Sequence, residues 1–113
     1  MGGRGRLEVR GQPRPLAPDA RLALYRTAQE ALANVRKHAP DAHVEVRLTW
    51  GDDNAVLVIE DHVEGGTPPT AGDGGYGLTG MAERAELLGG HLETVPTPTG
   101  FRVELRLPTA VSA

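Results

Sequence analysis

Two spacings of apolar residues recur along the chain, one typical of strands and one typical of helices. In residues 43–50 every second residue is apolar, which predicts a half-buried strand. Residues 55–60 are more uniformly apolar, and the turn sequence at 51–54 joins the two segments into a predicted hairpin. Shorter apolar stretches predict an edge strand around Leu7 and Val9 and two closing strands at 91–95 and 101–107.

Two other segments repeat their apolar residues every three or four positions, which predicts amphipathic helices. The first helix is expected to be capped by Asp19 and to end before Pro40, since the residue preceding a proline is pushed out of the helical region. Its expected core-facing positions are Leu22, Tyr25, Ala28, Leu32, Val35 and Ala39. The second helix is expected to stop at the glycine pair 89–90. Its apolar face consists of Leu78, Met81, Ala82, Ala85 and Leu88.

The order of these elements is strand, helix, strand, strand, long loop, helix, strand, strand. This order favours the α+β class, as a two-layer α/β sandwich with helices on one face of a mixed, mostly antiparallel sheet. A length of 113 residues is enough for one core, so we expect a single domain over residues 1–113. Residues 1–5 are expected to be disordered or to derive from the cloning vector, and residues 109–113 to form a tail.

Composition narrows the range of functions. A net charge of −3 gives no basic surface of the kind that binds nucleic acid, so we expect no direct contact with DNA or RNA. Without cysteine, the chain offers no disulfide, no thiolate metal site and no cysteine nucleophile. It also lacks a signal-peptide core and an apolar run long enough to span a bilayer, so we expect a cytoplasmic location without membrane contact.

Glu30, Asn34, Lys37 and His38 share one polar face of the first predicted helix, roughly opposite its apolar stripe. One interpretation of such a face is a solvated surface. The mixture of groups also suits a nucleotide site. The amide oxygen of Asn34 can bind Mg²⁺, the Glu30 carboxylate can orient a water or accept a proton, and a lysine can meet a phosphate.

A glycine-rich segment provides a second candidate feature. Seven of the fifteen glycines fall within residues 65–80, directly before the second helix, and residues 61–77 show no periodicity. Exposed backbone amides that lead into a helix N-terminus form a site for anions such as phosphate. Asp61 stands at the mouth of this loop, where it can cap a turn or accept a hydrogen bond from an amine such as that of adenine. Together these features suit a Mg²⁺-bound nucleoside triphosphate.

Two motifs resemble those of a known family. Residues 25–39, YRTAQEALANVRKHA, closely resemble the N box of the ATP-binding domain of sensor histidine kinases, of the subclass that signals to response regulators of the nitrate-regulator type. Residues 75–84, GYGLTGMAER, with LGGHL at 88–92, resemble the later glycine box and helix of that domain. The resemblance runs from about residue 7 to Pro108. It implies the GHKL (Bergerat) ATPase fold, with residues 62–77 as a lid over ATP.

The resemblance also implies a role for each candidate residue. Glu30 would be the catalytic residue, which polarises or accepts a proton at the phosphoryl-transfer centre, and Asn34 would bind nucleotide through Mg²⁺. Lys37 and His38 would neutralise phosphate charge, and Asp61 would recognise the adenine amine. The remaining nucleotide contacts would come from Gly65, Gly75, Gly77 and Leu78.

The implied activity is that of a protein-histidine kinase catalytic domain. Such a domain binds Mg-ATP and passes the γ-phosphate to a histidine on a dimerisation domain, which these residues do not include. The partners would be that phosphoacceptor domain directly and a response regulator indirectly. We do not expect the isolated chain to autophosphorylate.

Two alternatives stay open at the level of sequence. Val63 stands where the resemblance predicts a glycine, which favours a degenerate domain that keeps the fold and serves as a partner-binding module. Serine kinases of the anti-sigma-factor type use the same fold on similarly short chains. The sequence around Glu30 and Lys37 is more similar to that of sensor kinases.

Overall fold

The computed structural model describes residues 5–63 and 78–110, which form a five-stranded sheet and two helices. The elements are β1 (Gly5–Arg10), α1 (Pro18–His38), β2 (His43–Trp50), β3 (Asn54–His62), α2 (Leu78–Leu87), β4 (His91–Thr97) and β5 (Gly100–Pro108). This order of strands and helices is the predicted one. Residues 1–4, 111–113 and 64–77, which include most of the predicted lid, lie outside the described ranges. Gly5 begins β1, so the expectation of a disordered end is wrong for this residue.

The strands lie in the order β1-β2-β3-β5-β4. β1 pairs with β2 in parallel, whereas the other three pairs are antiparallel. Parallel neighbours need a crossover connection, and α1 provides it between β1 and β2. The sheet is therefore mixed and mostly antiparallel, with β1 as the predicted edge strand.

Both helices pack on the same face of the sheet. Alternate residues of β3, among them Leu57 and Ile59, form one buried cluster with Leu105 of β5, Ala31 of α1 and Ala85 of α2. α1 contacts β3 and β5, and α2 contacts β4 and β5. The arrangement confirms the predicted two-layer sandwich. No helix within residues 5–63 and 78–110 is long and apolar enough to cross a membrane.

The start of α1 differs from the prediction. Pro18 is the first helical residue and Ala17 is the N-cap, without a side-chain hydrogen bond to the helix. Proline fits this position because its fixed φ suits a helix and the N–H that it lacks would have no intrahelical partner. Asp19 is therefore not the cap but lies in the first turn, where negative charge is favourable. The helix ends at His38, before Pro40, as predicted.

Only part of the predicted core-facing side of α1 meets the core. Ala28 and Leu32 pack against the buried cluster, as predicted, whereas two other predicted positions are exposed. Leu22 is 48% exposed and Tyr25 is 61% exposed. The Tyr25 hydroxyl accepts a hydrogen bond from Gln29 Nε2 at 3.1 Å, on the outer side of the helix. The buried positions of α1 are Ala20, Thr27 and Ala31. The small side chains at these three positions let the helix backbone approach the sheet closely, and the larger Leu24 and Leu32 pack at the side of this contact.

α2 ends at the predicted glycine pair. Gly89 has a φ of 84°, in the left-handed region that glycine adopts without a Cβ penalty. The Gly90 N–H donates to the Ala85 carbonyl at 2.8 Å, and the Gly89 N–H donates to the Glu86 carbonyl at 3.0 Å. This pair of bonds is a Schellman motif, which satisfies the last carbonyls of the helix and turns the chain directly into β4.

Several strand boundaries lie beyond the predicted ones. β3 continues through Asp61 and His62, which pair with residues 44 and 43 of β2, so Asp61 belongs to a strand and not to the loop. β4 and β5 leave only residues 98 and 99 between them, which shortens the predicted turn at 96–100. In both places, pairing with a neighbouring strand extends the regular structure past the last residue with a clear apolar pattern.

The first residues after β5 do not form the free tail that the sequence suggests. The Thr109 N–H donates to the Asp53 carbonyl at 2.9 Å, and the Ala110 N–H donates to the Pro15 carbonyl at 2.8 Å. These two bonds attach residues 109 and 110 to the turn before β3 and to the connector before α1.

Leu105→Ala should destabilise the protein by about 2–5 kcal/mol, because it leaves a cavity in the middle of the core. Leu105 is 0% exposed and belongs to the buried cluster. Leu87→Ala is the matched control, since Leu87 is 84% exposed and a surface truncation changes stability by about 0.5 kcal/mol or less. Urea unfolding of both variants measures the difference, and equal losses would contradict the assignment of the core.

Candidate functional site

Three segments of the chain meet at the same edge of the sheet. α1 connects β1 to the start of the parallel strand β2, so it must run back along the sheet, opposite to both strands. β3 is antiparallel to β2 and therefore points in the same direction as α1. β4 also runs in the direction of β3, and the tight turn between α2 and β4 places the start of α2 toward that edge. The ends of α1 and β3 and the N-terminus of α2 are thus all directed toward the same edge of the sheet.

Asp61 lies at this edge, on the face that the helices cover. It follows Leu57 and Ile59 in the row of alternate core residues of β3, and it is 8% exposed. Its Oδ1 accepts a hydrogen bond from the Phe101 N–H at 2.7 Å. Within the described part of the chain, no hydrogen bond reaches Oδ2. One carboxylate oxygen is therefore held by the protein, and Oδ2 is the candidate atom for a ligand contact.

Burial raises the pKa of the Asp61 carboxyl above its ordinary value. The Phe101 N–H and the nearby His62 favour the charged form and oppose this shift, whereas Glu60 adds to it. A raised pKa in the folded state means that ionisation costs folding free energy. The contribution of Asp61 to stability is full below the pKa of an unfolded aspartate and is lost as the pH rises through the folded pKa. Such a carboxylate is a candidate for a functional role.

Two residues that lie against Asp61, Gly100 and Phe101, were not predicted from the sequence. A Cβ on Gly100 would overlap the carbonyl oxygen and the carboxylate of Asp61, so the two strands approach this closely only because residue 100 is a glycine. The next residue, Phe101, then donates its N–H to Oδ1. A glycine between a turn and an aromatic strand residue is the signal that could have indicated a close backbone approach.

Asn34 and His38 lie on the same side of α1 as its buried residues. Positions 27, 31, 34 and 38 are spaced by four, three and four residues, so they form one row along the helix. Thr27 and Ala31 are buried, Asn34 is half-buried and His38 is exposed. Exposure therefore increases along this row toward the end of α1, and the exposed and half-buried positions carry polar side chains. The expectation that Asn34 and His38 lie opposite the core is wrong, because Leu22 and Tyr25, which were expected to mark the core face, are exposed.

The structure places the other predicted site residues around this row. Glu30 is half-buried and Lys37 is exposed, and each precedes a member of the row by one position, so both flank it on the same side. Leu78 is 5% exposed and joins the core cluster at the start of α2. Gly65, Gly75 and Gly77 lie outside the described residues.

Val63 follows β3 with ordinary backbone geometry. In residues 5–63 and 78–110 only glycines have a positive φ, so Val63 does not occupy the region that disfavours a β-branched side chain. Its N–H donates to the Thr99 carbonyl at 2.8 Å, which fastens the end of β3 to the β4–β5 turn. The conformational objection to valine at this position therefore does not apply.

Comparison with known proteins identifies related sequences. The family model of histidine kinase-, DNA gyrase B- and HSP90-like ATPases matches residues 19–111. The signal transduction histidine-protein kinase/phosphatase UhpB of Salmonella typhimurium is 42% identical over 93 residues, which are 82% of this chain and 18% of that protein. DegS of Brevibacillus brevis, a kinase/phosphatase of the same description, is 41% identical over 88 residues, which are 77% of this chain and 23% of that protein. The chain thus spans about a fifth of these relatives.

Solved histidine kinase structures share the fold. AdeS of Acinetobacter baumannii superimposes with a TM-score of 0.74 over 96% of this chain and 55% of that one, at 14% sequence identity. The histidine kinase domain of the blue-light activated kinase of Erythrobacter litoralis EL346 gives a TM-score of 0.72 over 95% of this chain and 56% of that one, at 18% identity. At these identities the likeness concerns the fold alone.

Asp61→Asn should raise the melting temperature of the ligand-free protein at pH 7. Asparagine keeps an oxygen that accepts the Phe101 N–H but removes the buried charge. The advantage over the parent should shrink below about pH 4, where the parent carboxyl is protonated in both states. Thermal unfolding at pH 7 and pH 3 measures both effects. Asp41→Asn, at an exposed turn position, is the control and should show neither. A lower melting temperature for Asp61→Asn at pH 7 would contradict the assignment.

Gly100→Ala should destabilise the protein by about 1–3 kcal/mol, the usual cost of an added methyl group that has no space. It should also speed amide exchange at Phe101, because the Cβ would push Asp61 away from this N–H. Gly5→Ala is the matched control in another strand, since nothing lies within 4 Å of a Cβ there. Denaturant unfolding and hydrogen exchange test the prediction, which fails if the two variants behave alike.

Proposed function

Because the chain belongs to the histidine kinase-, DNA gyrase B- and HSP90-like ATPase family, we propose that it is the Mg-ATP-binding catalytic domain of a sensor histidine kinase. In this function it transfers the γ-phosphate of ATP to a histidine on a separate dimerisation domain. The observation that carries the proposal is the buried Asp61, with one oxygen fixed and Oδ2 as the candidate ligand atom, at the edge toward which the ends of α1 and β3 and the start of α2 are directed. The histidine kinases among its relatives support the same function.

Asp61 is the group that recognises adenine. The exocyclic amine of adenine donates hydrogen bonds, and a carboxylate oxygen at the end of an apolar row accepts one with little competition from water. Guanine presents a carbonyl oxygen instead of this amine, and the two acceptors would repel each other. The site therefore favours adenine nucleotides over guanine nucleotides.

The end of α1 and the start of α2 form the phosphate side of the site. The Asn34 amide oxygen is a hard, neutral ligand of the kind that Mg²⁺ takes beside phosphate oxygens, so the residues present fit this ion. Lys37 and His38 are both exposed in the last turn of α1. Lys37 offers positive charge to the phosphates, and both side chains offer hydrogen-bond donors. The first turn of α2 contains no acidic residue, which leaves its N-terminus favourable for an anion. The backbone N–H groups proposed to bind phosphate belong to Gly75, Gly77 and Leu78, and Gly65 is proposed as a further nucleotide contact.

For phosphoryl transfer, the protein mainly positions the reacting groups and stabilises their charge. Mg²⁺, when bound, neutralises triphosphate charge and polarises the transferred phosphoryl group. Glu30 is half-buried on the flank of the same helix row, and its carboxylate orients the attacking imidazole and accepts its proton. Lys37 neutralises charge on the phosphates as the bond to the leaving oxygen breaks.

The proposal extends to the partners of the parent protein. The N-box sequence at 25–39 supports the subclass that signals to response regulators of the nitrate-regulator type. Such a regulator would take the phosphate from the dimerisation domain, and so would interact with this chain only indirectly. Since the substrate is cytoplasmic ATP, the proposed place of action is the cytoplasm.

The two alternatives raised by the sequence have less support. The degenerate-domain hypothesis depends on Val63, whose backbone is in an ordinary conformation. The anti-sigma-factor hypothesis predicts serine kinases as relatives, whereas UhpB and DegS are histidine kinases.

Asp61→Asn and Asn34→Ala should weaken nucleotide binding in different ways. With the asparagine oxygen bound to the Phe101 N–H, its NH₂ group would face the adenine amine. Two opposed donors cost about 1–3 kcal/mol, so ATP affinity should fall about tenfold or more with and without Mg²⁺. Asn34→Ala should weaken binding mainly when Mg²⁺ is present.

Calorimetric titration of ATP, with and without Mg²⁺, distinguishes the two effects. Gln29→Ala is the control on α1, because this side chain is exposed and bonds to Tyr25 on the outer side of the helix. If Asp61→Asn binds ATP as tightly as the parent, the adenine assignment is wrong. Equal losses for Asn34→Ala in both conditions would exclude its Mg²⁺ role.

A further inference from the structure

Two glutamates face each other on the sheet surface that α1 and α2 do not cover. Glu45 of β2 pairs directly with Glu60 of β3, and Glu60 points away from the core because its neighbours Ile59 and Asp61 point into it. Both glutamates are half-buried. Like charges at directly opposite positions destabilise a pair of strands, so this arrangement calls for a neighbouring positive charge.

The arginines next to this pair do not neutralise it. Arg102 lies opposite Glu60 on β5, but its guanidinium donates to Glu104 at 2.7 Å. Arg6 lies opposite Glu45 on β1 and forms no ion pair with it. Among the described residues, the nitrogen-bearing side chain nearest to either carboxylate is His62, whose Nε2 is 3.7 Å from Glu60 Oε1. This separation is too long for a hydrogen bond.

His62 is oriented as a metal ligand would be. Its Nδ1 is 2.8 Å from Thr99 Oγ1, and this hydroxyl can accept the Nδ1 hydrogen. The tautomer with hydrogen on Nδ1 leaves a lone pair on Nε2, on the side of the ring that faces Glu60. A hydrogen bond at one ring nitrogen that fixes the other for coordination is a usual feature of histidine ligands.

We propose that Glu45, Glu60 and His62 bind a divalent transition-metal ion of the zinc class. One ligand atom from each residue lies within 4.8 Å of the other two. Zinc bonds of about 2.0–2.2 Å place neighbouring ligand atoms about 3.3–3.6 Å apart, close to the 3.7 Å between Nε2 and Oε1. Small side-chain rotations are enough to close the site. Two carboxylates balance the charge of the ion, and water completes the coordination.

The ligand set favours zinc over magnesium. Imidazole nitrogen suits zinc and its neighbours in the first transition series, whereas Mg²⁺ takes oxygen ligands and keeps several waters. The site also lies on the opposite face of the sheet from Asp61, although His62 directly follows it in the chain. The inference is therefore independent of the proposed ATP function, and its test needs no nucleotide.

Zinc binding to the full, metal-free chain tests the proposal by calorimetry and thermal unfolding. We expect one Zn²⁺ per chain and a melting temperature that rises with zinc concentration, because the ion binds the folded state. His62→Gln, Glu60→Gln and Glu45→Gln should each weaken binding about tenfold or more. Excess Mg²⁺ should not displace the ion. Co²⁺ in its place should give visible absorption bands that His62→Gln abolishes.

His91→Gln is the matched control. His91 lies on the same sheet face, with Nε2 4.0 Å from Glu93 Oε2, and Glu93 faces Glu104. Arg102 already pairs with Glu104, and among the described residues these three side chains do not form a ligand group. His91→Gln should change zinc affinity less than twofold. The proposal is overturned if the parent shows no saturable zinc binding, or if His91→Gln weakens binding as much as His62→Gln. Circular dichroism of each variant confirms that it is folded.

Discussion

The buried carboxylate of Asp61 needs a hydrogen-bond donor, and the Phe101 N–H provides it. The positions of β3 and β5 must bring these two groups together. A charge is tolerated at such a position only with a partner, and this partner lies 40 residues away in the chain. β5 must therefore lie beside β3, and Gly100 must lack a side chain for the two strands to approach. The same edge receives the ends of α1 and β3 and the start of α2. One polar contact thus fixes the local geometry to which the rest of the site is added.

Burial stabilises the apolar residues in the core-facing row of β3 but makes the charge of Asp61, in the same row, unfavourable. Leu57 and Ile59 precede it on the same face and gain free energy from burial, whereas burial raises the pKa of Asp61 and makes its charge unfavourable. A leucine at this position would extend the core but could not accept a hydrogen bond from an adenine amine. The proposed function gives this cost a reason, because recognition of an adenine amine needs an acceptor with little competition from water.

The two faces of the sheet follow different physical rules. On the helix-covered face, small residues of α1 set the distance between the layers, and polar groups enter only where α1 leaves the core. On the opposite face, side chains form charge pairs along single strands, such as Arg102 with Glu104 at 2.7 Å and Arg10 with Glu8 at 2.9 Å. Screening by water makes such exposed pairs weak contributors to stability. Glu93 and Glu104 also face each other, on β4 and β5, but Arg102 pairs with Glu104. The facing glutamates of β2 and β3 differ because, among the described residues, no arginine lies within 4 Å of either carboxylate.

The amino-acid pattern was enough to predict the order of elements, the β2–β3 hairpin, the end of α1 before Pro40 and the glycine stop of α2. Each depends on spacing or backbone preference within a few residues. The chemistry of the side chains and their places in these elements also marked Asp61 and Asn34 as candidates. The folded structure was needed to show which residues of α1 are buried, how far β3 extends, and that Gly100 and Phe101 lie against Asp61. These features depend on which distant residues meet. The close approach of α1 to the sheet buries the small Ala31, whereas the larger Leu22 is exposed. Pairing with β2 extends β3 beyond its apolar pattern.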